Sequence, residues 1–233
     1  TENKVNGSAV NTSENITADG RYEVLIEKLA DENNNIAFTV TNTHTPEVVD
    51  ITATKQWADN NNQDGRRASY TLQLLANGEP FGQAVTKAAD ELTHTWEDLN
   101  KYAAGKEIVY TVEETKIGDE NVVDNKTTYY DVTYGEDGLT VTNTHTPEVV
   151  DITATKQWAD NNNQDGRRAS YTLQLLADGS AIGEAVTNEA GVLSYTWKGL
   201  SKYAAGKEIV YTVKETKIGD ENVVDNKTTY YDV

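Results

Sequence analysis

Apolar and polar residues alternate in short runs along most of the chain. ITATKQW at 51–57, YTLQLLA at 70–76, KEIVYTVEE at 106–114 and LTVTN at 139–143 each set apolar side chains two apart. That period is the mark of a β-strand with one buried face. Clusters of Asn, Asp and Gly separate the runs, and no stretch sustains helical periodicity. The pattern also repeats. DITATKQWADNNNQDGRRASYTLQLLA starts at Asp50 and returns unchanged at Asp151, and KYAAGKEIVYTV starts at Lys101 and returns at Lys202, both 101 residues on. Most differences between copies fall at 77–100. These features predict an all-β chain of tandem antiparallel β-sandwiches, about 100 residues each. On this reading 47–147 is a complete repeat, 148–233 a repeat without its final strand, and 1–46 the back portion of a preceding one. The short, proline-bearing connection THTPEVVD is expected to hold successive units in line.

Three polar residues interrupt the apolar rows. Lys55 shares the face of Ile51, Ala53 and Trp57; Glu114 continues Ile108, Tyr110 and Val112; Asn143 continues Leu139 and Val141. Burying a lone lysine or carboxylate costs on the order of several kcal/mol, so the three are expected to meet. The set recurs in part as Lys156 with Glu215, and as Glu2 with Asn42. Glu113 is matched by Lys214 whereas Glu114 is matched by Glu215, which singles out Glu114 as the constrained carboxylate. A dry site lowers a lysine pKa and raises that of a glutamate, favouring a neutral amine and a neutral acid. Such an amine can attack the Asn143 carboxamide carbon while Glu114 shuttles protons and ammonia leaves. The alternative is a buried, hydrogen-bonded salt bridge with no new bond.

Composition narrows the function. With 38 Asp+Glu against 20 Lys+Arg, the net charge of −18 disfavours nucleic acid and anionic membrane as partners. No apolar run approaches the roughly 18 residues of a membrane span. Without Cys there is no disulfide framework and no thiolate metal site. The loop ADNNNQDGRR half-matches a calcium loop through Asn60, Asn62, Asp64 and Gly65, but Thr71 stands where the closing Glu belongs. Turn chemistry explains it better, and no metal or cofactor is expected. His44 and His145 of THTP read as linker residues, and Trp57, Trp96, Trp158 and Trp197 as core. No hydrolase-type nucleophile and base and no phosphate loop appear, so an enzyme acting on an external substrate is not expected.

VDITATKQWADNNNQDGRR, LQLLANG, TWEDLNKY, IVYTVEET and LTVTNTHTP, in that order, resemble the Cna B-type repeats of Gram-positive surface adhesins and pilins. The resemblance covers essentially the whole chain. It implies an inverse immunoglobulin-like sandwich with an intramolecular Lys–Asn isopeptide bond. Lys55 and Asn143 would form that bond with Glu114 as proton shuttle, and Glu215 and Glu2 would be the equivalent carboxylates. It also implies a cell-wall-anchored stalk that extends a binding domain from the bacterium. Neighbouring repeats or identical chains would be the partners, with a host protein bound through other domains. Two other roles are an adhesive module using 77–100, and a fibre subunit completed head-to-tail, in which Lys156 of one chain bonds Asn42 of another.

Overall fold

The computed structural model of the chain describes residues 4–5, 8–11, 16–17, 21–30 and 36–233. Between 48 and 144 the alternating runs become two facing sheets. One has the order Thr93–Asn100, Val48–Ala58, Thr140–Thr144, Asp131–Tyr134. The other runs Glu120–Asn121, Tyr110–Ile117, Tyr70–Ala76, Glu79–Pro80, with Val85–Lys87 also paired to Tyr70–Ala76. The inward rows meet as one core of Ala53, Tyr70, Leu72, Leu74, Tyr110, Val112, Tyr130, Val132 and Val141. Each large apolar side chain buried there contributes about 1.5–3 kcal/mol. All four tryptophans are half-buried, and Trp57 and Trp96 pack against this core rather than inside it.

One pairing departs from the antiparallel pattern. Thr140–Thr144 runs parallel to Val48–Ala58, placing Val141 beside Lys55 and Asn143 beside Trp57. Alternation has the same period in both directions, so it predicts which face is buried but not which way a neighbour runs.

The second repeat is built alike. Val149–Thr155 pairs with Ser194–Ser201, and Ser180–Asn188, Tyr171–Ala177, Tyr211–Ile218 and Glu221–Asn222 form the facing sheet over buried Tyr171, Leu173, Leu175 and Ile218. Its Ser180–Asn188 strand is continuous, whereas the first repeat breaks the same span into Glu79–Pro80 and Val85–Lys87. Pro80 stands where the second copy has Ala181. Proline has no N–H for the ladder and confines the strand to a short edge piece. Ahead of both repeats, Glu23–Ala30 pairs with Ile36–Thr43, leaving Leu25, Ile26, Phe38 and Val40 exposed.

Candidate functional site

Lys55 reaches the core because its strand alternates without a break from Ala53 to Trp57. Its Nζ lies 4.1 Å from the centre of the Trp57 ring and 5.6 Å from that of Tyr70. It donates to the Gln56 carbonyl at 2.9 Å and stands 3.7 Å from Glu114 Oε1. Both side chains are completely shielded from water. Glu114 comes from the opposite sheet, just before a bulge that separates it from Lys116. Its own N–H donates to the Tyr134 hydroxyl at 3.0 Å, which ties the two sheets together at that point. Asn143 enters on the parallel strand and is wholly buried.

The polar atoms are poorly satisfied for so dry a place. Both Glu114 carboxylate oxygens and both polar atoms of the Asn143 carboxamide lack a partner in hydrogen-bond geometry. A buried polar group without a partner loses about 1–3 kcal/mol. Burial pushes Lys55 down to about 8, with Glu114 the main opposing influence. Burial pushes Glu114 up to about 7, against the pull of the Lys55 charge and the nearby Asn143 carboxamide. Amine and acid, ordinarily far apart on the pH scale, are brought nearly level. Burial thus weakens the usual preference for the charged pair and brings the neutral amine and neutral acid within reach. Tyr70, whose hydroxyl donates to the Glu91 carbonyl, is pushed up to about 12, mainly by burial.

The other candidate residues are placed differently. Lys156 Nζ sits 2.9 Å from the Glu215 carboxylate, with the side chains 13% and 6% exposed. An open cleft lined by Lys156, Leu173, Val213 and Glu215 lies beside the pair, so water reaches it and a direct ion pair forms. Asn42 is exposed on the Ile36–Thr43 strand, opposite Val24, and Glu2 lies outside the described residues.

A second buried network lies nearby, one that local alternation does not reveal. Asp59, 1% exposed, accepts two hydrogen bonds from the Arg67 guanidinium at 2.8 and 2.7 Å, one from the Asn62 N–H at 3.0 Å and one from Tyr130 at 3.1 Å. Burial pushes Asp59 up, but these donors outweigh it and hold the carboxyl below its ordinary range. The network closes the Asn-rich loop over Trp57, itself 5.9 Å from the Arg67 guanidinium. The loop reads as a turn, as its composition implies. Asn60, Asn61, Asn62 and Gly65 are all left-handed, Asn60 pairs with Gln63, and Asn62 Oδ1 accepts the Arg67 N–H. The linker residue His145 is buried, its ring bonded to Asp64 at 2.9 Å and to the Tyr129 carbonyl at 2.8 Å. Only a loop–linker contact 81 residues apart in sequence brings Asp64 and His145 together, beyond the reach of any local pattern.

A family model for the Cna protein B-type domain matches residues 51–144 and again 152–232. The chain belongs to the Cna B-type domain family. As Cna B-type repeats, the two copies can be set beside relatives. A collagen adhesin of Staphylococcus aureus is 39% identical over 215 residues, covering 89% of this chain and 17% of that protein. The chain thus spans about a sixth of that relative's length. Among solved structures, a single B repeat unit (B1) of the collagen-binding surface protein Cna of S. aureus is 34% identical, covering 75% of this chain and 88% of that one, with a TM-score of 0.36. Two B repeat units (B1B2) of the same protein are 31% identical, covering 94% of this chain and 56% of that one, with a TM-score of 0.43.

Proposed function

We propose that this chain is a length of extracellular stalk whose complete repeat, 47–147, locks itself with an amide bond between Lys55 and Asn143. Lys55 Nζ attacks the Asn143 Cγ, Glu114 takes a proton from the amine and passes it to the departing nitrogen, and one ammonia leaves. No oxidant or cofactor is consumed. The observation that carries this reading is the buried meeting of Lys55 and Glu114 beside a carboxamide with no hydrogen-bond partner of its own. The bond would tie the first strand of the repeat to its last. Load entering at one end of the sandwich would then leave at the other without unzipping the sheets between. Such a role is structural rather than catalytic. It suits a spacer carrying a binding domain outward from a Gram-positive cell wall, and the relation to a collagen adhesin supports that setting. Binding of a host protein would then belong to other domains.

Pulling single molecules by their ends tests the stalk role. The segment between Lys55 and Asn143 is 88 residues (143 − 55), about 300 Å when extended. The wild type should never release that length, and the Glu114→Gln chain should. Release of it by the wild type would end the reading.

A second reading concerns contact between chains. The exposure of Phe38 and Val40 on the Asn42 strand, and the open cleft beside Lys156 and Glu215, favour strand addition from one molecule to another with a Lys156–Asn42 bond. Ladders that resist SDS and vanish in Lys156→Ala would support it; a single monomer band would exclude it.

A further inference from the structure

The two repeats touch through pieces that the sequence duplicates and the structure joins once. The loop after Val48–Ala58 carries Gln63, Asp64, Gly65 and Arg66 to the edge of the first repeat. There it meets the hairpin of Tyr203–Ala204 and Lys207–Glu208 from the second. The Gly206 N–H donates to the Gln63 carbonyl at 3.0 Å. Gly65 and Gly206 stand back to back. A Cβ on Gly65 would lie 2.5 Å from Gly206 Cα, and one on Gly206 3.0 Å from Gly65 Cα. Around this point the Arg66 guanidinium lies 4.3 Å from the centre of the Tyr129 ring and 5.4 Å from that of Tyr203. Arg66 also donates to Glu148 at 2.8 Å, and Glu148 accepts from Lys202 at 3.0 Å. Asp64 holds the linker from below, accepting the Glu148 N–H at 2.7 Å and the His145 ring at 2.9 Å.

We propose that the Asp64–Gly65–Arg66 loop is a docking site for the Tyr-Ala-Ala-Gly hairpin of a neighbouring copy of the same repeat, and that this joint holds adjacent repeats in one fixed orientation. The partner follows from the duplication. Asp165, Gly166 and Arg167 recreate the loop in the second repeat, where Arg167 already lies 4.5 Å from the Tyr230 ring centre. Tyr102 and Gly105 recreate the hairpin in the first, with Lys101 already on Glu47 at 3.4 Å. All four glycines have left-handed backbones: +68° and +65° at Gly65 and Gly166, +76° at both Gly105 and Gly206. A Cβ at Gly105 or Gly166 would meet nothing within 4 Å. The turns therefore ask the same of each glycine, and only the joint asks more of Gly65 and Gly206. Domains joined by a short linker alone move relative to one another by default. The joint does not depend on the Lys55–Asn143 bond and is equally expected in the Glu114→Gln chain.

Residual dipolar couplings on both repeats of the full chain test the joint. The wild type should fit one common alignment tensor. Gly65→Ala and Gly206→Ala should each lose it and give two distinct tensors, while the amide shifts within each repeat stay in place. Gly166→Ala and Gly105→Ala carry the same turn strain and should keep the common tensor. The two disruptive changes lie in different repeats, so a folding defect in one cannot explain both. Independent tensors in the wild type, or a common tensor retained in Gly65→Ala, would overturn the proposal.

Discussion

Lys55 shows how a single position sets the character of this fold. A lysine on the inward parity of a central strand is tolerable only if its charge is matched or removed, and Glu114 allows either. The unreacted pair leaves a signature in pH, which can be read in a chain held unreacted by Asn143→Ala. Burial raises the Glu114 pKa to about 7, so the folded state binds more protons there than the unfolded state, and stability falls as pH rises toward 7. Burial lowers the Lys55 pKa to about 8, so the folded state binds fewer protons above that value, and stability recovers as pH rises from there. Denaturant titrations of Asn143→Ala should therefore show a minimum between about 7 and 8, relative to the same chain also carrying Lys55→Met and Glu114→Gln. A difference curve that is flat or peaks in that window would contradict the assigned shifts.

At the scale of elements, parity carried most of the information. The inward residues of 51–57, 106–114 and 139–143 can be picked out in the sequence because a strand's period fixes its faces, and that places Lys55, Glu114 and Asn143 toward one core. The parallel run of Thr140–Thr144, the bulge after Glu114 and the split of one strand at Pro80 are less visible. They depend on partner direction and edge position, which alternation does not encode. The loop at 59–67 was legible as a turn but not as an anchored one. Asp59 looks like any other acidic residue in a polar run, and only its contact with Tyr130, 71 residues away, gives it a buried role. Asp59→Asn should cost about 3 kcal/mol, because it removes the charge facing Arg67 and turns one of the two acceptor oxygens that serve Arg67, Tyr130 and the Asn62 N–H into a donor, in a nearly dry site. Its mate Asp160→Asn, in a wetter setting, should cost less. Thermal melts of the two variants rank them, and an equal or reversed order would show that the loop anchor is not what stabilises the first repeat.

Across the whole molecule, one small unit is used more than once, and it is fastened in two ways, one within the first repeat and one between repeats. Inside the complete repeat the proposed amide would join first strand to last. Between repeats the glycine contact and the Arg66–Glu148 pair set one domain on the next. The excess of acidic residues gives such a surface a strong negative net charge, −18 for the chain. The proposed stalk role depends on a bond that no amount of packing can imitate. Intact mass of the purified chain tests it most directly, measured beside Lys55→Ala and Glu114→Gln. The wild type should be lighter than its sequence by one ammonia, with both variants at full sequence mass. A wild type at full sequence mass would reduce Lys55, Glu114 and Asn143 to a buried polar cluster.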